Sequence, residues 1–376
     1  MTRSRSVLVI GGGTAGCALA VLLARAGTAV DLVERSPDGN AGRGSGITLQ
    51  GNALRVLDAI GVWDRVRARG AASDGVTIVA PDGTPLVTQD DLRTGGDDLP
   101  AALGMRRPVL QGILTDAVLA AGARFRPGRT LTHLAQDSQG AQVRFDDGTS
   151  GRYDLVVAAD GVHSATRALI GITETPRPTG MAVWRAPAPR PEGVDRTHLA
   201  FGGPAFIAGF CPTGPDTVYA YLVEAARDRT AADPVSLVRE MRERAEGYGG
   251  HWKTITAALT DTSPVNYTWC TEHLVDGPWY RGRVVLVGDA AHSCPPTLAQ
   301  GAAMSLEDSL VLAELLTEGS SWDDKLLDAY TERRLPRVRS VVEASVQIGR
   351  WQLDGVRDAD VPGLMGRVMG ALRERP

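Results

Sequence analysis

Three short segments rich in glycine and acid carry the chemistry of this sequence. The longest, Gly282 to Asp308 (GRVVLVGDAAHSCPPTLAQGAAMSLED), reads as a buried strand ending at Gly288-Asp289, a proline-bearing loop, and a helix that begins near Gln300-Gly301. A carboxylate at a strand end accepts hydrogen bonds from hydroxyls and repels phosphate. The N–H groups of Gly301, Ala302 and Ala303 have no partner within the helix, and the helix dipole makes that end positive. Asp289 and the helix start therefore form a cradle for hydroxyls at one end and negative charge at the other, a description that a flavin fits.

The second segment, Gly11-Gly12-Gly13-Thr14-Ala15-Gly16, follows a β-branched strand over 6–10 and opens a helix over 15–26 that stops at Gly27. A second strand over 28–33 closes with Glu34-Arg35. In that strand–turn–helix–strand context, GxGxxG seats a pyrophosphate on a helix N-terminus. Glu34 is placed to accept from an adenosine ribose hydroxyl, which favours FAD or NAD over NADP. The third segment is the strand end Ala159-Asp160-Gly161. Taken alone it is a turn.

The elements around these segments describe an α/β protein: a Rossmann-like nucleotide-binding domain, an inserted, mostly antiparallel β-sheet domain, and C-terminal helices. Residues 1–74, 100–172 and 268–376 are assigned to the first, and 75–99 with 173–267 to the second. From about residue 173 to 261 prolines punctuate short strands (181–185, 205–210, 218–222), with one helix near 234–245. Strand alternation puts Phe206, Ala208 and Phe210 on one face, and Tyr219 with Tyr221 on another. These residues, with Trp184, Arg185 and His198, are candidates for lining a substrate site, although ordinary sheet core explains each as well. The segment 45–60 reads as running into a helix, 89–99 as a mobile surface loop, and 325–333 and 335–353 as two helices.

Composition narrows the partners. A net charge of −4 gives no support to nucleic acid or an anionic membrane as a partner. Only Lys253 and Lys325 are lysines among the 40 Lys and Arg, a skew that reads as codon bias. Cys17, Cys211, Cys270 and Cys294 show no metal-type or redox-type spacing, which suits a reducing cytoplasm. The basic, then apolar N-terminus breaks into glycines too soon for a signal peptide, and no run approaches the ~18 apolar residues of a membrane span.

In their order, an N-terminal βαβ adenosine site, a strand-Asp-Gly and a strand-Gly-Asp resemble the FAD-dependent aromatic-ring hydroxylases, the family of para-hydroxybenzoate hydroxylase. The resemblance covers nearly the whole chain. It implies an ADP site at Gly11, Gly13, Thr14, Ala15, Gly16, Glu34 and Arg35, with Arg107 (opening Arg-x-x-Leu-x-x-x-Leu) contacting FAD. It also implies that Asp160 and Gly161 serve FAD and reduced nicotinamide, and that Gly288 and Asp289 hold the ribityl hydroxyls. Gly301, Ala302 and Ala303 would face the flavin, Arg43 would pass near its ring system, and a proline carbonyl at Pro296 would face the substrate. The implied reaction reduces non-covalent FAD with NAD(P)H, adds O2 to form a C4a-hydroperoxide, and hydroxylates a small electron-rich aromatic or N-heteroaromatic ring. The sequence departs from the family at Leu298-Ala299, where many relatives carry glycines, and the extra C-terminal domain of some phenol hydroxylases is not expected here.

His292 and Cys294 read as packing residues beside the flavin loop. No catalytic base and no metal site can be assigned, and oligomeric state is not legible. A flavin halogenase requires a lysine near the first domain and Trp-x-Trp; a disulfide reductase requires paired cysteines and a second nucleotide domain. All are missing. A flavin-loaded oxidase or non-catalytic sensor on the same fold has the same motifs, so turnover separates it. The purified protein is expected to be yellow, and heat or acid denaturation should release FAD into the supernatant. FMN, or flavin that stays with the precipitate, contradicts this reading.

Overall fold

The computed structural model describes residues 4–39, 45–229 and 232–376. Its first sheet explains the unalternating apolar strands of the sequence, because it is covered on both faces. Six strands run in the order Tyr280–Arg281, Val284–Leu286, Leu155–Ala158, Ser6–Ile10, Ala29–Glu34, Arg124–Pro127, parallel except at the Tyr280 edge. Val7, Val9, Leu32, Leu155 and Val157 pack under the helices Thr14–Arg25, Arg107–Ala120 and Gly301–Glu318. Leu8, Ile10, Val33, Val156 and Val284 pack on the opposite side against Val143, Phe145 and Tyr153 of a three-stranded antiparallel sheet. All three chemical segments begin at C-terminal ends of adjacent strands in this sheet, where an open α/β sheet binds its ligands.

The second layer is an eight-stranded, mostly antiparallel sheet in the order His292–Ser293, Asn266–Leu274, Arg177–Pro189, Thr217–Ala225, Ile207–Pro212, Thr197–Phe201, Gly75–Val79, Pro85–Asp90. It takes in Asn266–Leu274 and His292–Ser293, which reach beyond the 173–267 segment. Its outer face packs Trp184, Ala208, Phe210 and Leu222 against the helices Pro234–Ala245 and His251–Ala258. Its inner face carries Met181, Val183, Val223 and Cys270, with Leu353 of the last long helix against them. A small sheet of Gly46–Gln50, Ala102–Arg106 and Ala71–Ser73 is wedged against that inner face. Two glycines permit the fit: a Cβ on Gly104 would stand 1.9 Å from the Pro212 carbonyl oxygen, and one on Gly46 2.4 Å from the Tyr219 Cβ.

Several sequence expectations differ from the structure. Residues 46–50 form a strand, because Ile47 and Thr48 pair with Ala102–Arg106 before the helix Gly51–Ala59 begins. The 89–99 segment is anchored instead of mobile: Thr94 is fully buried and its hydroxyl accepts the Asn52 N–H at 2.9 Å. The two helices expected after residue 324 are one 30-residue helix, Asp324–Leu353, with Pro336 inside it. Packing of its buried face outweighs the hydrogen bond that the proline removes. The helices His251–Ala258 and Val361–Ala371 were not anticipated. Among the described residues no helix is long and apolar enough to cross a membrane.

Arg334 on that long helix is fully buried. It donates to Asp308 Oδ1 at 2.8 Å and to Glu307 Oε2 at 2.9 Å, and Arg337 adds two 2.8 Å bonds to Glu307. Burial alone raises the Asp308 carboxyl, but the His292 ring and the Arg334 guanidinium outweigh it and hold the group below its ordinary value. Replacing Arg334 by Met removes the guanidinium partner of Asp308 and one of the two that Glu307 has, so a loss of roughly 3–5 kcal/mol is expected in urea unfolding of the FAD-loaded protein. A loss under about 1 kcal/mol means the pair is not holding the fold.

Candidate active site

At the nucleotide end, each glycine of the loop has its own reason. Gly11 has φ +108, and a Cβ there would lie 2.2 Å from the Ala159 carbonyl oxygen. A Cβ on Gly16 would lie 1.9 Å from the Gly11 carbonyl oxygen, so this glycine lets the helix close on the strand. Gly13 faces open space. It ends a helix start, through Thr14 and Ala15, that has no side-chain cap and no acid in its first turn. Buried Glu34 accepts the Gly12 N–H through Oε2 and the Ser36 N–H through Oε1, both at 2.8 Å, so its carboxylate is aimed by backbone. Arg35 is exposed beside it.

At the other end Gly288 has φ +59, and its N–H donates to Asp308 at 2.9 Å. The Asp289 side chain is exposed. The surrounding protein still withdraws it from bulk water and raises its carboxyl, an effect that His292, Arg107 and Ser305 partly offset. The buried His292 donates its Nε2–H to Asp308 at 2.7 Å and lies 5.3 Å from the Trp279 ring, a packing role. The helix start at Gly301 has no side-chain cap; Gln300 instead accepts from Asn52 at 3.0 Å. Gly301 faces open space, Ala302 is half-buried and Ala303 is buried. Pro296 is exposed, and its carbonyl accepts the Ala299 N–H at 3.0 Å within the turn Pro296–Leu298. Ala299 has φ 52 and is the single non-glycine positive φ among the described residues. A left-handed alanine costs roughly 1–2 kcal/mol. Burial pushes the Cys294 thiol up to about 12, so it is not a thiolate.

Between these ends lies Asp160. Its carboxylate accepts from Ser164 Oγ and from the Thr166 N–H and hydroxyl at 3.0 and 2.8 Å, capping the short helix Ala165–Leu169, while Gly161 (φ +84) makes the turn. Sequence reasoning missed Arg167, which is 4% exposed. It donates to the carbonyls of Val162 at 3.1 Å and Ala290 at 2.8 Å, tying the Asp160 loop to the residue after Asp289. It also meets His273 Nε2 at 3.1 Å. Burial and the Arg167 charge lower His273 to about 3, so the ring is neutral. An arginine six residues after Asp-Gly is the only signal the sequence offers for it.

The sheet residues divide by face. Trp184, Ala208 and Phe210 point to the outer face and belong to the core under the two helices, not to a cleft. The Trp184 N–H donates to Glu224 at 3.0 Å beneath Arg229 and Arg244, and His198 stacks on Phe210. Phe206 precedes the strand, which begins at Ile207, so the alternation that grouped it with Ala208 and Phe210 does not apply; it packs with the inner-face cluster. Tyr219 and Tyr221 occupy the inner face, rings 5.2 Å apart. Arg185 donates to the Tyr219 hydroxyl at 2.8 Å and to Thr268. Arg107 is exposed at the start of its helix. Arg43 lies outside the described residues.

The FAD binding domain family matches residues 4–345. The chain belongs to the FAD-dependent aromatic hydroxylase family. It is 31% identical to the 2-heptyl-3-hydroxy-4(1H)-quinolone synthase of Pseudomonas aeruginosa over 92% of this chain and 89% of that one. It is 32% identical to a 3-amino-4-hydroxybenzoate 2-monooxygenase of Streptomyces platensis over 93% and 88%. In fold it is similar to Klebsiella pneumoniae HpxO complexed with FAD and uric acid, with a TM-score of 0.82 at 23% identity over 98% and 92% of the chains. The chain is an FAD-dependent monooxygenase of the aromatic hydroxylase type, and its residues fit that cofactor. Two uncapped helix starts open onto space at Gly13 and Gly301, and Glu34 and Asp289 stand at the strand ends beside them.

Each acid is a charged acceptor with ~1.5–3 kcal/mol at stake. Glu34→Ala and Asp289→Ala should therefore each weaken FAD retention about 10- to 100-fold, read as flavin fluorescence released on dilution. Full retention in both variants would put the acids elsewhere than on the cofactor.

Proposed function

We propose that this monooxygenase takes electrons from NAD(P)H and places one atom of O2 on a small electron-rich aromatic or N-heteroaromatic ring. In this reading the ring lies between the Gly301–Ala303 helix start and the Arg185–Tyr219–Tyr221 face, and residues 75–99 and 173–267 form the substrate-binding unit. The observation that carries it is the inner-face pair Tyr219 and Tyr221, rings 5.2 Å apart with Arg185 on the Tyr219 hydroxyl, in a chain of the aromatic hydroxylase family. FAD, when bound, supplies the electron transfer and the activation of dioxygen. Gly13 and Gly301 would let backbone N–H groups approach its pyrophosphate and its pyrimidine edge, and Glu34 and Asp289 would accept from its hydroxyls. The positive end of the helix at Gly301 favours negative charge there.

Tyr219, oriented by Arg185, would position a ring hydroxyl or amino group; burial raises its own phenol, so it is a hydrogen-bond partner and not a phenolate. The small sheet, which packs Gly46 against Tyr219 and Gly104 against the Pro212 carbonyl, would help to keep water from the ring. The relatives named for an aminohydroxybenzoate and a hydroxyquinolone support the substrate class. A single GxGxxG in a βαβ setting supports transient docking of nicotinamide without a second nucleotide domain. Four free cysteines are consistent with a reducing cytoplasm.

Turnover under labelled dioxygen tests the reading. With a suitable phenol, aminophenol or hydroxylated N-heteroaromatic, NAD(P)H oxidation should accelerate and the product should gain one labelled oxygen. Poorly placed rings should give NAD(P)H oxidation with H2O2, since a misplacement of about 1 Å costs ~100-fold in rate. Label only from water, or no oxygenated product across a broad panel, leaves an oxidase or a sensor.

A further inference from the structure

A trans peptide holds its C=O and the following N–H antiparallel, so fixing one aims the other. The peptide that joins Gly12 to Gly13 is fixed in this way from outside the glycine loop. Gln111, one turn after Arg107 on the helix Arg107–Ala120, donates through Nε2 to the Gly12 carbonyl at 2.7 Å. A carbonyl only accepts, so the nitrogen of the Gln111 amide must face it, and the second hydrogen on that nitrogen has the Thr115 hydroxyl at 3.3 Å. On the other side of the same glycine, the Gly12 N–H donates to Glu34 at 2.8 Å. Gly12 is therefore held through both of its polar groups by side chains from two different elements.

The consequence falls on Gly13. With the Gly12 carbonyl drawn toward Gln111, the Gly13 N–H points away from it. Among the described residues that N–H has no acceptor, and Gly13 faces open space. The Cys17 N–H closes on the Gly13 carbonyl at 2.9 Å, and the Cys17 thiol lies 3.2 Å from the Gly12 carbonyl. Burial pushes that thiol up to about 12, so it brings no charge to the loop. Without Gln111, the weak thiol donor would be the one partner left to the Gly12 carbonyl among the described residues. A peptide between two glycines would then be free to turn.

We infer that Gln111 is a positioning residue for the cofactor: by holding the Gly12 carbonyl it presents the Gly13 N–H to the pyrophosphate of FAD. It acts through the peptide and not by reaching the cofactor itself. The inference rests on the reading of the glycine loop as the pyrophosphate seat.

Three variants test it. Gln111→Met keeps the length and removes the donor, Gln111→Glu keeps the shape and turns the donor into a carboxylate, and Glu34→Ala reports on the loop as a whole. FAD retention is read from flavin fluorescence on dilution, the pyrophosphate from its phosphorus NMR resonances, and the fold from thermal unfolding of the apoprotein. Gln111→Met should weaken FAD about tenfold, since a hydrogen bond to a charged group is no longer aimed. Its phosphorus resonances should move, while apoprotein unfolding stays within about 2 °C of the parent. Gln111→Glu should lose more at about pH 8, then recover toward the parent near about pH 5 as the carboxyl regains a proton to donate. Glu34, Cys17 and Arg107, the titratable or charged groups around the loop, are common to both proteins, so the ratio to the parent isolates the new carboxyl. Unchanged FAD retention in Gln111→Met, or no recovery of Gln111→Glu in acid, overturns the inference. So does a loss of FAD that comes with a large fall in apoprotein unfolding temperature and unmoved phosphorus resonances, because Gln111 then supports only the fold. If Glu34→Ala weakens FAD and Gln111→Met does not, the positioning role alone falls. If neither variant weakens it, the loop is not the seat of the cofactor and the underlying reading falls too.

Discussion

A guanidinium with no access to water must be neutralised where it lies, and that constraint at Arg334 organises the flavin end of the molecule. Bringing its charge and two carboxylates out of water costs several kcal/mol per ion, so the arrangement persists only with every lone pair engaged. Glu307 and Asp308 sit nearly two turns into the Gly301 helix and accept from the long C-terminal helix. Asp308 then spends its remaining oxygen on the Gly288 N–H and on His292. Glu307 accepts from Asn52, which accepts in turn from Gln300. One buried cation thus sets the backbone at Gly288, the turn that presents Asp289, and the residue before the dipole helix.

That network also explains why the helix start is uncapped. The residue at the capping position is Gln300, and its amide is committed to Asn52 within the buried cluster. Free N–H groups at Gly301 are a cost in the protein alone. They become useful when a negative ligand faces them. The nucleotide end follows the same logic, since Gly13 caps nothing and the one nearby acid, Glu34, is turned onto the Gly12 and Ser36 N–H groups. Both ends withhold side chains where backbone is needed.

Strain is concentrated in the connection between these supports. Ala299 takes a left-handed conformation that glycine would adopt freely. It is retained because Leu298 is buried on one side and Gln300 on the other. Arg167 braces the opposite wall by holding the Ala290 carbonyl. The Gly288-to-Gly301 loop is therefore held at both ends and bent just before the helix.

The sequence alone determined the parts whose chemistry is local. A GxGxxG between a β-branched strand and a helix, an acid at the next strand end, and an acid-bearing turn before an alanine-rich helix need only short-range spacing to be recognised, and the family and the parallel sheet were legible from them. The inserted antiparallel sheet was legible as a texture of prolines and short strands, but not its faces. Alternation says that Ala208 and Phe210 share a side; it cannot say which side meets helices and which meets a cleft, and one residue of error at the strand start moved Phe206 across the sheet. Pro336 is a related case. Its local preference argues against a helix interior, and packing partners far along the chain reverse the balance. The Arg334 cluster and Arg167 were invisible until folding joined them. Each depends on strands and helices separated by tens to hundreds of residues, and burial of a charge is a property of the assembled layers, not of any segment.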